Sequence, residues 1–151
     1  MECHNFETSF KEGEKGEREF AAFHPETLEW LQQPHRPDFR VTKTGDYLEL
    51  KTDSFDADRT PNFFFERYSD LEKKTDGGPW QSLAKNCRWF VYYFSTNKIC
   101  FIFETQKLVE KLEILIDFDD YCDIVNKKWI TRGYKVARES VKDIYVAKTL
   151  K

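Results

Sequence analysis

Two runs in the first third of the chain alternate polar and apolar side chains: Asp38-Phe39-Arg40-Val41-Thr42-Lys43 and Asp46-Tyr47-Leu48-Glu49-Leu50-Lys51, with Thr44-Gly45 between them. A period of two marks a strand with one buried face, and a two-residue spacer containing Gly predicts a hairpin. Setting Lys43 opposite Asp46 places Val41 opposite Leu48 and Phe39 opposite Leu50, four apolar side chains on one face. The same register sets Arg40 opposite Glu49 and Asp38 opposite Lys51 on the other face. The polar residues are therefore gathered, not scattered.

Around this hairpin the pattern predicts a helix over residues 11–23, then a second short helix opened by Pro25 and running through Leu28, Trp30 and Leu31. Residues 62–67 read as a strand and 75–79 as a turn, after which Pro79 opens a helix through Trp80, Gln81, Leu83 and Ala84. Residues 88–94 and 98–104 form a second hairpin around Ser95-Thr96-Asn97. Leu108, Leu112 and Leu115 stand at helical spacing within 106–116, and 144–147 closes the chain as a strand. The order implies an α/β fold, a central mixed β-sheet flanked by helices.

Composition changes the picture little. The chain has 151 residues, 40% of them apolar and 34% charged, as in a globular protein. No repeat or linker divides it, so residues 1–151 read as a single domain. The apolar runs at 89–94 and 99–103 are six and five residues, far short of the ~20 needed to cross a bilayer. The first residues lack the basic-then-apolar pattern of a signal peptide. The expectation is no membrane and a cytoplasmic location. Cys3, Cys87, Cys100 and Cys122 are widely spaced, lack zinc-site patterns and are expected to be reduced.

Charge distribution carries more. Residues 127–151 hold eight cations against two anions, a net of +6, which leaves 16 cations against 25 anions, or −9, on residues 1–126. A basic end on an acidic body can direct a polyanion to one face, with Lys127, Lys128, Arg132, Lys135 and Arg138 as candidate phosphate contacts. The alternative is a solvated terminal segment. Trp129 and Tyr134 lie among these cations as candidate base-stacking residues, with a core role as the commoner one.

Burying two carboxylates and an ammonium on one sheet face costs several kcal/mol per ion unless something compensates. A hard divalent cation does so, since it prefers carboxylate oxygens and keeps several of its waters. Bound to Asp38 and Glu49, it would lower the pKa of a water and polarise a phosphoryl oxygen. Lys51 would orient that water or offset charge on the phosphorane. The alternative is a wet surface hairpin in which Asp38–Lys51 and Arg40–Glu49 are cross-strand ion pairs. His4, His24 and His35 suggest no triad, and no phosphate-binding Gly-rich loop occurs.

Pro37-Asp38, ten intervening residues and Glu49-Leu50-Lys51 resemble the signature of the PD-(D/E)XK nuclease superfamily, the restriction-endonuclease-like proteins. Upstream, Lys15-Gly16-Glu17-Arg18-Glu19-Phe20 resembles the helix that opens archaeal-type Holliday-junction resolvases. The segments around Thr60–Arg67 and Gly77-Gly78-Pro79-Trp80-Gln81 are similar to small phage and bacterial members. The resemblance implies a restriction-endonuclease-like core and a metal-dependent endodeoxyribonuclease. It implies Asp38, Glu49 and the Leu50 carbonyl as metal ligands, with Lys51 as catalytic lysine. Glu17 is the best first-helix acid to join the metal ligands, though helical phase leaves Glu19 open, and Gln81 is a helix glutamine that assists the site. The implied cofactor is Mg²⁺, with Mn²⁺ substituting, and the implied partners are DNA and a second copy in a homodimer. Such resolvases are usually basic, which this acidic body is not. A non-catalytic nucleic-acid-binding relative and a protein-interaction module are the competing expectations.

Overall fold

The computed structural model describes residues 6–151. Helix α1 covers Phe6–Phe23, and its Phe20 is buried against Phe39 and Tyr93. After it the chain does not form the expected second helix. Leu28 N–H closes a turn onto the His24 carbonyl, and strand β1, Leu28–Trp30, then pairs with β2, Phe39–Val41. The physical reason is visible in three residues. Leu28 and Trp30 flank Glu29 with a period of two, so pairing buries both rings or branches toward α1, which an isolated short helix cannot do.

The predicted hairpin forms, with its register displaced by two residues. Phe39 pairs with Leu48 and Arg40 with Tyr47, joining β2 to β3, Tyr47–Asp53. The turn is longer than Thr44-Gly45: Val41 N–H donates to the Asp46 carbonyl, Gly45 N–H to the Val41 carbonyl, and Gly45 takes φ +79°. A slip of two leaves every side chain on its predicted face and changes only its partner. Arg40 consequently pairs with Glu29 across β1, at 3.4 Å, and not with Glu49.

Strand β4, Asn62–Asp70, and the short β5, Thr75–Asp76, lead to helix α2, Gly78–Ala84, with Pro79 in its first turn. Strands β6, Cys87–Phe94, and β7, Ile99–Glu104, form the second hairpin, followed by α3, Thr105–Leu115. Two further strands follow, β8 at Cys122–Val125 and β9 at Ile130–Ala137, the second within the basic segment 127–151 that reads in sequence as a charged tail. A 3-10 segment at Arg138–Ile144 and strand β10, Tyr145–Thr149, complete the chain.

The fold is mixed α/β with two sheets. One runs β1-β2-β3-β6-β7-β10, parallel only between β3 and β6; the other runs β5-β4-β9-β8, antiparallel throughout. A parallel β3–β6 pair needs a crossover, and β4, β5 and α2 supply it. The crossover therefore crosses over the face of β3 that carries Glu49 and Lys51. That face packs an aromatic core in which the Phe63 ring lies within 5.6 Å of Phe65, Tyr92, Phe101 and Phe103. Phe20, Phe39, Leu48, Val91 and Tyr93 fill the opposite face beneath α1.

Among the described residues no helix is long and apolar enough to cross a membrane. Cys87 and Cys100 are free and buried. Cys122 is disulfide-bonded, a departure from the expectation that every cysteine is reduced. Cys3 and His4 lie outside the described residues.

Candidate functional site

The displaced register matters most at its open end. Continuing the β2–β3 pairing outward by one residue sets Asp38 level with Glu49, and the hydrogen bonds agree. Asp38 N–H donates to Glu49 Oε1 at 3.1 Å, and Leu50 N–H donates to Asp38 Oδ2 at 2.8 Å. Backbone and side chains of the two strands thus hold the two carboxylates together. Pro37, buried just before Asp38, has no N–H to pair and ends the ladder there. Leu50 points its amide to the Asp38 side, where β2 has ended. Its carbonyl leaves the strand on that same edge.

Helix α1 brings the third acid. Glu17 Oε1 accepts a hydrogen bond from Trp30 Nε1 at 3.2 Å, and its carboxyl shares a hydrogen bond with Asp38. Gly16 permits this approach, because a Cβ there would fall 1.9 Å from Thr52 Oγ1 on β3. With no side chain at Gly16 the helix lies directly on the strand. Glu19, the other first-helix acid, belongs elsewhere: it pairs with Lys98 at 2.7 Å and accepts the Tyr93 hydroxyl.

Burial raises the proton affinity of all three acids, and Asp38 is raised further by the other two. Burial, then the charges of Glu49 and Glu17, push Asp38 up to about 8. Burial also raises Glu49, against the opposing pull of Lys85 and of the Asp38 amide, and Glu17 adds to the rise. Glu17 is raised by burial, partly offset by its bonds to Trp30 and Asp38. Lys85, at the end of α2, is the cation that lowers both Asp38 and Glu49. Sequence reasoning overlooked it, although Gln81 and Lys85 stand four apart on one face of the helix that Pro79 opens.

Lys51 follows Glu49 by two residues and shares its strand face. Its Nζ lies 3.9 Å from Glu66 Oε1 on β4, so it does not form the cross-strand pair with Asp38 that the alternative hairpin reading requires. Glu49, Leu50, Lys51, Glu66 and Gln81 all line one cleft of about 150 Å³ between β3, β4 and α2, with Phe64, Phe65 and Phe90 as its apolar wall. Asp53, next along the face, serves structure: it accepts the Tyr92 hydroxyl at 2.5 Å and the Phe55 amide at 2.9 Å. Asp46 pairs with Arg88 at 3.1 Å, away from the cleft.

The basic segment is less available than its composition suggests. Arg132 grips Asp123 with Nε and Nη2 at 2.7 and 2.9 Å and lies over the Tyr121 ring. Arg138 turns inward, donating to the Ala57 carbonyl at 2.9 Å and facing the Phe94 and Phe101 rings. Tyr134 is core, its hydroxyl bonded to the Phe118 carbonyl. Trp129 is half-buried, while Lys127, Lys128 and Lys135 are exposed. Lys135 pairs in register with Phe64, whose ring lies over Gly133.

No protein-family model matches the chain, and comparison with curated proteins finds no match. Among the described residues no three His, Cys, Asp or Glu side chains stand together as a ready-made metal-ligand set. The donors at the site are oxygens. Burial and a neighbouring acid oppose the ionisation of Asp38 and Glu49, and Lys85 offsets this only in part. That suits a hard cation which keeps its own waters and asks for one or two carboxylates. It does not suit zinc, for which nitrogen and sulfur ligands are usual.

Proposed function

We propose that the protein is a metal-dependent endodeoxyribonuclease built on a restriction-endonuclease-like core. The observation that carries this reading is the meeting of Asp38 and Glu49 at the open end of the β2–β3 pair, with Lys51 next on the same face in a solvent-reachable cleft. The succession of a helix bearing Glu17, antiparallel strands bearing Asp38 and Glu49, a helix bearing Gln81 and a parallel strand supports it further.

Asp38, Glu49 and the Leu50 carbonyl would hold Mg²⁺ or Mn²⁺, with Glu17 adding charge behind Asp38. Bound there, the cation supplies Lewis acidity to a phosphoryl oxygen and acidity to a water. The chain's own residues do the rest. Lys51 contributes positive charge where the phosphorane gains negative charge, and its ammonium donates hydrogen bonds to a phosphate oxygen or to the attacking water. Gln81, across the cleft, offers an amide that orients the same water. Phe64, Phe65 and Phe90 exclude bulk solvent from one wall, which strengthens each electrostatic contact. Phosphate contacts farther along the strand fall to the exposed Lys127, Lys128 and Lys135. Arg132 and Arg138 would first have to leave Asp123 and Ala57. Junction specificity of the resolvase kind belongs to this proposal as its substrate-level extension.

The test is cleavage of supercoiled plasmid and of a panel of branched, single-stranded and linear DNAs with Mg²⁺ or Mn²⁺, with and without EDTA. The expected result is metal-dependent nicking that EDTA abolishes. DNA binding without cleavage under any of these conditions would instead mark a non-catalytic relative.

A further inference from the structure

Glu66 has no place in the motif that marks the site, yet the fold holds it there by three separate means. Its carboxylate faces Lys51 at 3.9 Å across the cleft, both side chains about one-third exposed. Strand β4 changes its register against β9 between Glu66 and Tyr68, a bulge that redirects the strand at this residue. Gly77 and Gly78 then close on its backbone. A Cβ on Gly78 would lie 2.6 Å from the Glu66 carbonyl oxygen, and one on Gly77 would lie 3.1 Å from Glu66 Cβ. Gly78 also takes φ +45°, a conformation that few other residues adopt. An ordinary exposed ion pair needs none of this support.

We infer that Glu66 is the positioning residue for Lys51, holding its ammonium over the cleft and away from Glu49 until a phosphate arrives. The inference rests on the nuclease reading and adds a residue to it. Glu49 and Asp53 stand two residues to either side of Lys51 on its strand face, Asp53 engaged by Tyr92, and Glu66 across the cleft is the carboxylate the ammonium meets. Pairing with Glu49 would cancel charge where the cation binds. Pairing with Glu66 keeps Glu49 open and fixes the long side chain in one direction. The same carboxylate repels an incoming phosphate, so Glu66 acts against substrate binding while it favours the chemical step.

This opposition separates a positioning role from a structural one. Glu66→Gln keeps the shape and removes the charge. It is expected to lower kcat about tenfold, as a loosened catalytic group does, while KM stays level or falls because the repulsion has gone. In a Lys51→Ala background, the same change should leave the residual Mn²⁺-supported single-turnover rate unaltered, since the group it positions is absent. Unchanged kcat in Glu66→Gln, or an equal fractional loss in both backgrounds, would overturn the role while leaving the nuclease reading standing. A wild-type protein inert with both cations would defeat the nuclease reading itself, and the Glu66 role with it. Circular dichroism of each variant confirms that the comparison is between folded proteins.

Discussion

Lys51→Ala, Asp38→Ala and Glu49→Ala should each reduce metal-dependent DNA cleavage by about a thousandfold or more, equivalent to about 4 kcal/mol of transition-state stabilisation. Lys51 is about one-third exposed and its ion-pair partner is equally wet, so its removal takes little from the fold. Its expected effect lies in the chemical step, where one well-aimed donor in a partly dry site is worth up to about a thousandfold by itself and Lys51 also offsets charge on the phosphorane. Asp38 and Glu49 contribute at two levels. Each would be a metal ligand, and each accepts a backbone hydrogen bond that ties β2 to β3. Alanine therefore also frays the open end of the hairpin, whereas Asp38→Asn and Glu49→Gln keep the side-chain shape and an accepting oxygen. The amide variants should fold like the wild type and still fail to cleave. An active Lys51→Ala protein would remove the mechanism.

The second large effect is on stability and depends on pH. Asp38 has an ordinary carboxyl pKa in the unfolded chain and about 8 in the fold, first because of burial and then because of Glu49 and Glu17. A group whose folded pKa is raised contributes stability that is fully present below its unfolded pKa and is lost as pH climbs through the folded one. Without metal, the melting temperature should fall as pH rises from about 5 to about 8. Glu49 and Glu17, also raised, act in the same direction. Glu19 acts oppositely. Burial pushes it up, but hydrogen bonds from Lys98 and Tyr93 outweigh that and lower it, so its contribution is lost only under acid conditions.

On the proposed metal-site reading, a divalent cation would compete with the Asp38 proton. Mg²⁺ should accordingly stabilise the wild type more at pH 8 than at pH 6, since a ligand that binds only the folded state raises its apparent stability. Asp38→Asn should flatten the metal-free pH dependence and lose most of the Mg²⁺ effect. Melting curves of both proteins in EDTA and in Mg²⁺ across this range decide the matter. Equal Mg²⁺ stabilisation in Asp38→Asn would place the ion elsewhere.

The alternating pattern revealed the polar face of the hairpin because facing is a local property, set by the strand period alone. Register is not local. Thr44-Gly45 invited a two-residue turn, and the longer turn that formed moved Asp38 from Lys51 to Glu49. That slip strengthens the site, since it brings the two acids level. The choice between Glu17 and Glu19 was similarly beyond helical phase, and the packing of Gly16 on Thr52 decides it.

Glu66, which reads in sequence as half of a surface pair with Arg67 or Lys73, and Lys85, whose helical spacing from Gln81 is its one signal, were missed for another reason. Both meet the site through tertiary contacts, Glu66 from a different sheet and Lys85 from the end of the crossover helix. In the basic segment, composition showed the sign of the charges but not their direction. Arg132 and Arg138 read as phosphate contacts, yet one neutralises Asp123 and the other caps the Ala57 carbonyl beside aromatic rings. Strand β9, whose residues Thr131, Gly133, Tyr134 and Val136 are buried, was hidden by the same lysines and arginines that lie between them.

Binding of Mn²⁺ at pH 8, followed by the loss of its free-ion electron paramagnetic resonance signal, shows whether Asp38 and Glu49 hold a divalent cation. The wild type should take up the ion, and Glu49→Gln and Asp38→Asn should each bind it at least tenfold more weakly with the fold unchanged. Undiminished binding in both variants, or none in the wild type, would mean that these carboxylates form no metal site.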